Sequence, residues 1–137
     1  QGYVLESLYR LSEYYERAYG VTSPNVRDAI KKGLKFYRET QFDAKGFAYW
    51  RLPKKYPIDI HNQSQGMITF SSMKDYIEKG DEFTHTIAEW TLENMQSKKG
   101  NFYYQKYPFL TNKTNYLRWN QGWMMVALTT LLSNNKN

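Results

Sequence analysis

The sequence predicts an all-α chain of antiparallel helical hairpins, on three observations. Five segments repeat apolar residues at helical spacing, and none alternates as a strand does. A pattern recurs after about 55 residues, the mark of stacked supersecondary units. Lys45-Gly46-Phe47-Ala48-Tyr49-Trp50 is matched by Lys99-Gly100-Asn101-Phe102-Tyr103-Tyr104. Beyond each comes Gln-Gly, Gln65-Gly66 and Gln121-Gly122, opening the apolar runs Met67-Ile68-Thr69-Phe70 and Trp123-Met124-Met125-Val126. Third, the helices are separated alternately by short glycine turns and long aromatic loops, as expected of helix pairs joined end to end.

The first helix spans Tyr3 to Tyr19, with Val4, Leu8, Leu11, Tyr15 and Ala18 as its apolar stripe and Gly20 as its stop. Ser23-Pro24 opens the second, a serine cap before a proline at the first helical position. Its stripe is Val26, Ile30, Leu34 and Tyr37, fading near Thr40. A long loop over 41–60 follows, holding Gly46, Pro53, Pro57 and five aromatic residues. Loops of this length in a compact domain are functional or disordered, and the aromatic density argues for order.

A third helix runs from His61 to Glu78, with Met67, Phe70, Met73 and Ile77 inward, before Gly80 breaks it. A fourth runs from Asp81, its cap, to Gln96, with Phe83, Ile87, Trp90 and Met95 inward. Lys98-Lys99-Gly100 closes it, with cations where the helix dipole favours them. The second aromatic loop covers Asn101 to Lys113. A fifth helix spans Thr114 to Leu132; from Trp123 it is apolar nearly all round, which predicts burial on every side. Ser133 to Asn137 reads as a frayed tail. Helices one, three and five are then the inner set, two and four the outer, and both aromatic loops lie on one rim.

At 137 residues the chain is one helical-repeat domain with enough length for a core. Cysteine is absent, which removes disulfides and thiol chemistry and favours the cytoplasm. With two histidines and no cysteine, no zinc site is expected, and no cofactor motif is present. No apolar run is long enough to span a bilayer. The net charge of +6 suits an anionic partner. Because lysines are scattered in pairs and no helix concentrates base-reading residues, nucleic acid is a poor fit. Aromatic residues make up 18% of the chain and tyrosine leads, a composition suited to stacking sugar rings or to filling gaps between helices.

Four segments carry a resemblance: Gly46-Phe47-Ala48-Tyr49-Trp50, Tyr56-Pro57-Ile58-Asp59-Ile60-His61, Gly100 to Tyr107, and Tyr116-Leu117-Arg118-Trp119-Asn120-Gln121-Gly122-Trp123. Their order resembles the carbohydrate-active (α/α) toroids, such as unsaturated glucuronyl hydrolases and the C-terminal domain of glucuronyl C5-epimerases. Asn112-Lys113-Thr114-Asn115-Tyr116-Leu117-Arg118-Trp119-Asn120-Gln121 also resembles a segment of uncharacterised bacterial proteins from polysaccharide loci. The resemblance implies a partial toroid of about five helices, the C-terminal portion of a longer protein. It implies an oligosaccharide or polysaccharide, uronate-containing, as partner. Complete toroids have many more helices, so the remaining toroid or a second copy would cover an exposed flank.

Asp59 and His61 stand one residue apart at the mouth of the third helix. They could form a catalytic acid/base pair, or Asp59 could cap the helix while His61 fills a polar gap. Arg118 and Trp119 hold the corresponding place on the fifth helix and suit a uronic acid: a planar fork for the carboxylate and a face for the ring. Gln65 and Gln121 could bind sugar hydroxyls or cap an interior polar layer. Trp50, Arg51, Tyr104 and Tyr107 could line a groove or anchor the loops. The expected activity is binding or processing of an acidic glycan; the alternative is a non-catalytic repeat module.

Overall fold

A computed structural model describes residues 1–21 and 23–134. Among these residues lie five α-helices: α1 (Gly2–Tyr19), α2 (Pro24–Gln41), α3 (Ile60–Ser72), α4 (Gly80–Met95) and α5 (Trp123–Asn134). The expected all-α class holds. Thr22, in the expected first turn, and 135–137, in the expected tail, lie outside the described residues. No helix among the described residues is long and apolar enough to cross a membrane.

The third helix is the centre. Eleven of its thirteen residues are buried, and it packs against α1, α4 and α5. Small residues let its neighbours approach on several sides. A Cβ on Gly66 would come within 2.9 Å of Cε1 of Phe42, so glycine there is a packing requirement. Phe42 in turn meets Tyr37, Phe70 and Phe83 edge-on, forming the aromatic heart of the core.

Several expected details change. The α3 helix stops at Ser72, and a 3-10 turn over Lys74–Tyr76 replaces its predicted last turns. Lys79, at φ 55, takes a left-handed conformation just before α4. Gly80 instead starts α4 where a Cβ would lie 2.6 Å from the Lys74 carbonyl oxygen. Asp81 sits in the first turn of α4 rather than at its cap. On α1 the buried face is Gly2, Leu5 and Ser12, leaving the predicted stripe residues Val4, Leu11 and Tyr15 exposed. The fifth helix is preceded by a π-helical turn, Leu117–Gly122. It is not buried all round: Met124, Ala127 and Leu131 face the core, while Met125, Val126 and Leu132 are exposed. Its end is tied down, since Asn134 Nδ2 donates to the Ser71 carbonyl at 2.9 Å.

Three short strands, which the sequence reading did not predict, join the loops: β1 (Ile58–Asp59), β2 (Gln105–Lys106) and β3 (Thr111–Asn112). They form one antiparallel sheet in the order β1-β2-β3, with Ile58 opposite Lys106 and Asp59 opposite Gln105. The two aromatic loops are therefore one connected body at the N-terminal ends of α3 and α5.

Internally the loops repeat bond for bond. Asp43 N–H donates to the Phe47 carbonyl and Ser97 N–H to that of Asn101, at 2.9 and 2.8 Å. Gly46 N–H returns to Asp43 and Gly100 N–H to Ser97. Tyr49 N–H reaches the Gln41 carbonyl and Tyr103 N–H that of Met95. Gly46 and Gly100 stand at φ 93 and 91, a region that favours glycine.

Candidate functional site

The loop rim holds the whole positive excess of the chain. Residues 42–59 and 96–122 carry nine Lys and Arg against two Asp. All other residues carry ten Lys and Arg against eleven Asp and Glu. Nine basic groups on one face set up a field that gathers anions.

At the centre of the rim stands His61, in the first turn of α3. Tyr3, in the first turn of α1, places its hydroxyl 2.6 Å from Nε2 of His61. Trp119 stacks on the imidazole with centroids 4.4 Å apart and an interplanar angle of 26°. Trp123 meets the same ring edge-on at 4.9 Å. Burial pulls the His61 pKa below its ordinary value, against a smaller upward pull from Asp59. The ring is thus held neutral at pH 7, and its Nδ1 has no partner among the described residues.

Asp59 is the cap of α3. Its Oδ1 accepts the His61 backbone N–H at 2.9 Å, and its Oδ2 accepts Nε2 of Gln105 at 2.8 Å. Gln105 Oε1 then accepts the Tyr107 hydroxyl at 3.1 Å. The carboxylate is 2% exposed with both oxygens engaged. Of the two readings of Asp59, this geometry is the capping one. The only other acid on the rim, Asp43, pairs with Lys55 at 3.6 Å. Among the described residues no three His, Asp or Glu side chains gather as a metal set.

Beside Trp119 lies a groove of about 500 Å³ lined by Tyr104, Asn115, Tyr116, Leu117, Arg118 and Trp119. Tyr104 and Tyr116 meet edge-to-face at 5.2 Å. Burial raises the Tyr104 pKa, with Asp59 adding to the rise. Arg118 is exposed and makes no ion pair with a described residue. A stacking face and an uncommitted guanidinium therefore share one concavity, the pairing expected of Arg118 and Trp119.

On the other side of His61 is a smaller cleft of about 220 Å³, whose walls include Tyr3, Tyr49, Trp50, His61, Asn62 and Gln65. Trp50 lies here; Arg51 projects outward, its guanidinium carbon 5.3 Å from the Trp50 ring centroid. The Gln65 side chain is turned to α1, donating to Glu6 Oε1 at 2.5 Å. Gln121 serves as a latch, bonding both the N–H and the carbonyl of Phe102 at 2.9 Å. The structure thus joins Asp59 to Tyr107 through Gln105, and Tyr104, Arg118 and Trp119 around one groove. It sets Arg51, Gln65 and Gln121 apart from that groove.

Sequence reasoning passed over Tyr3, Gln63, Gln105 and Trp123. Tyr3 was hidden because its partner lies 58 positions away. Trp123 stands in the apolar run and at the end of the segment that carries the resemblance, with no role of its own assigned to it. Gln63, two residues before the Gln-Gly signal, is fully buried and bonds Gly46, Ala48 and Thr91. Its neighbours His61, Asn62, Ser64 and Gln65 are polar too, so no contrast in the sequence singles it out. Comparison with protein families, with curated proteins and with solved structures finds no match to this chain.

Proposed function

We propose that this chain is a section of an (α/α)-toroid architecture that binds an acidic, uronate-containing oligosaccharide or polysaccharide along its aromatic rim. The observation that carries the reading is the confinement of the positive excess to the two aromatic loops, beside a groove in which Trp119 and Arg118 adjoin. The indole face accepts a sugar ring, and the guanidinium accepts a carboxylate through two parallel bonds. Binding is favoured over cleavage because Asp59 is buried as a cap and Asp43 is engaged by Lys55, leaving no open pair of acids. On the same reading, the exposed apolar residues of α1 and α5 are flanks for neighbouring helical repeats or a second copy.

Thermal stabilisation by acidic and neutral oligosaccharides of equal length, at low and moderate salt, tests this. A rise specific to uronate ligands that persists at moderate salt supports it. A rise shared by every polyanion and erased by salt reduces the rim to a generic charge sensor.

A further inference from the structure

Each aromatic loop carries a tight turn with an apolar tip. In the second loop, Tyr107 N–H donates to the Leu110 carbonyl at 2.8 Å, closing Tyr107-Pro108-Phe109-Leu110 between β2 and β3. Phe109 is fully exposed there and Leu110 is 61% exposed. In the first loop, Arg51 N–H donates to the Lys54 carbonyl at 3.1 Å, and Leu52-Pro53 is the tip, with Leu52 52% exposed. A lone exposed leucine needs no explanation, but two backbone-closed turns on one rim, both apolar at the tip, do. Their surroundings are uniformly basic. Residues 50–57 and 103–119, which contain both turns, carry six Lys and Arg and no Asp or Glu. The rest of the chain carries 13 of each sign, so these two stretches hold the entire net charge of +6. Lys55 is held by Asp43 at 3.6 Å; the other five, Arg51, Lys54, Lys106, Lys113 and Arg118, make no ion pair with a described residue.

We propose that these turns form a docking face for an anionic lipid bilayer, with Phe109, Leu110 and Leu52 entering the boundary between headgroups and acyl chains. Charge complementarity selects the partner. Cations with no acid among them suit a surface of negative headgroups, and the apolar tips suit the layer beneath it. Tyr56 and Tyr107 stand beside the tips in sequence, and rings with one wet end favour the headgroup level. Docking of this kind lies on the membrane and needs no spanning helix, of which the described residues hold none. Because β1 pairs with β2, the two loops are one connected body, and their turns bear on a surface together. The inference stands apart from the acidic-glycan reading: Phe109, Leu110 and Leu52 do not line the groove at Trp119.

The test floats the protein at moderate salt with vesicles of phosphatidylcholine, alone or mixed with phosphatidylglycerol. The mixed vesicles should bind at least about tenfold more tightly than the neutral ones. Phe109→Ser should weaken that binding about tenfold, with an unchanged melting temperature because the side chain packs on nothing. The chain has no cysteine, so Phe109→Cys takes an environment-sensitive fluorophore at one place. On mixed vesicles its emission should shift to the blue, whereas the same label on Asn25→Cys, at the start of α2 on the opposite rim, should stay at its value in water. Absence of vesicle binding overturns the proposal, as does binding untouched by Phe109→Ser or a label at 109 that stays in water, since these leave charge alone at work. Uronate oligosaccharides should bind Phe109→Ser as they bind the wild type. Loss of vesicles and oligosaccharides together would give the tip to the groove's ligand and overturn the membrane role. Failure of vesicles alone leaves the acidic-glycan reading standing.

Discussion

Gln63 and Gln121 hold the same place in successive loops. Gln63 accepts the Ala48 N–H and donates to the Gly46 carbonyl, and Gln121 accepts the Phe102 N–H and donates to the Phe102 carbonyl. Ala48 and Phe102 are themselves equivalent, each bridging back to the end of the preceding helix at Phe42 and Gln96. In this register Asn62 matches Asn120, and both donate to loop carbonyls. His61 then matches Trp119. The stacked pair at the centre of the rim is one repeat position meeting its own counterpart.

Removing the Gln63 latch should cost more than removing that of Gln121. Gln63 is fully buried with three partners, so Gln63→Leu strands the Ala48 N–H and the Gly46 carbonyl, while the Thr91 hydroxyl keeps its bond to the Ile87 carbonyl. The expected loss is ~2–4 kcal/mol, against ~1–2 kcal/mol for the half-buried Gln121→Leu. Urea unfolding of both variants decides it, and equal losses would contradict the order.

For Asp59 the expectation is structural. Asp59→Ala removes the α3 cap and strands Gln105 Nε2, a loss of ~1–3 kcal/mol. Asp59→Asn, which keeps the cap acceptor, should lose less than half of that. Chemical denaturation of the pair reads the difference, and an unchanged midpoint for Asp59→Ala would return Asp59 to a catalytic role.

The helices were legible because their signals are local. Gly20 stops α1, Pro24 opens α2, and the Ile30, Leu34, Tyr37 stripe of α2 is buried as its period requires. The face of α1 was not legible: Leu5 and Val4 are equally apolar neighbours, and only packing in the fold, where Leu5 lies against Gly33 of α2, decides which is inside. The strand pairing of Asp59 with Gln105 escaped for a similar reason, since two-residue strands leave no alternation to read. The Gln-Gly echo was a true sign of repetition in a shifted register. The π-turn and longer second loop put 19 positions between Phe102 and Gln121, against 15 between Ala48 and Gln63. Of the candidate site, the pairing of Trp119 with Arg118 can be read from the sequence because the two are adjacent in it. Tyr3 cannot, because it is joined only by the fold.

Acid should weaken the fold through His61. Its folded pKa is depressed by burial, while in the unfolded chain it returns to about 6.5. The unfolded state therefore takes up the proton first. The contribution is complete above pH ~6.5 and is lost as pH falls from there toward the depressed value. The facing groups are Tyr3, Trp119 and Trp123, with Asp59 the nearest carboxylate acting on it. Stability between pH 7 and pH 5 should fall in the wild type and fall less steeply in His61→Gln, which denaturation at each pH measures.

At the groove, Arg118→Lys should weaken uronate oligosaccharides about tenfold and neutral ones far less, since lysine loses the paired bonds to a carboxylate. Its melting temperature should stay put, because Arg118 is exposed. Equal weakening of charged and neutral ligands would contradict the carboxylate clamp.

The central claim is that an acidic sugar lies on Trp119. An NMR titration at moderate salt, following the indole N–H signals of the tryptophans, tests it most directly. Trp119 and its neighbour Trp123 should shift with a uronate oligosaccharide, saturably and together. Trp90, packed on Phe47 at 5.1 Å in α4, should not. Movement of all the indoles alike, or none at saturating ligand, would contradict the account.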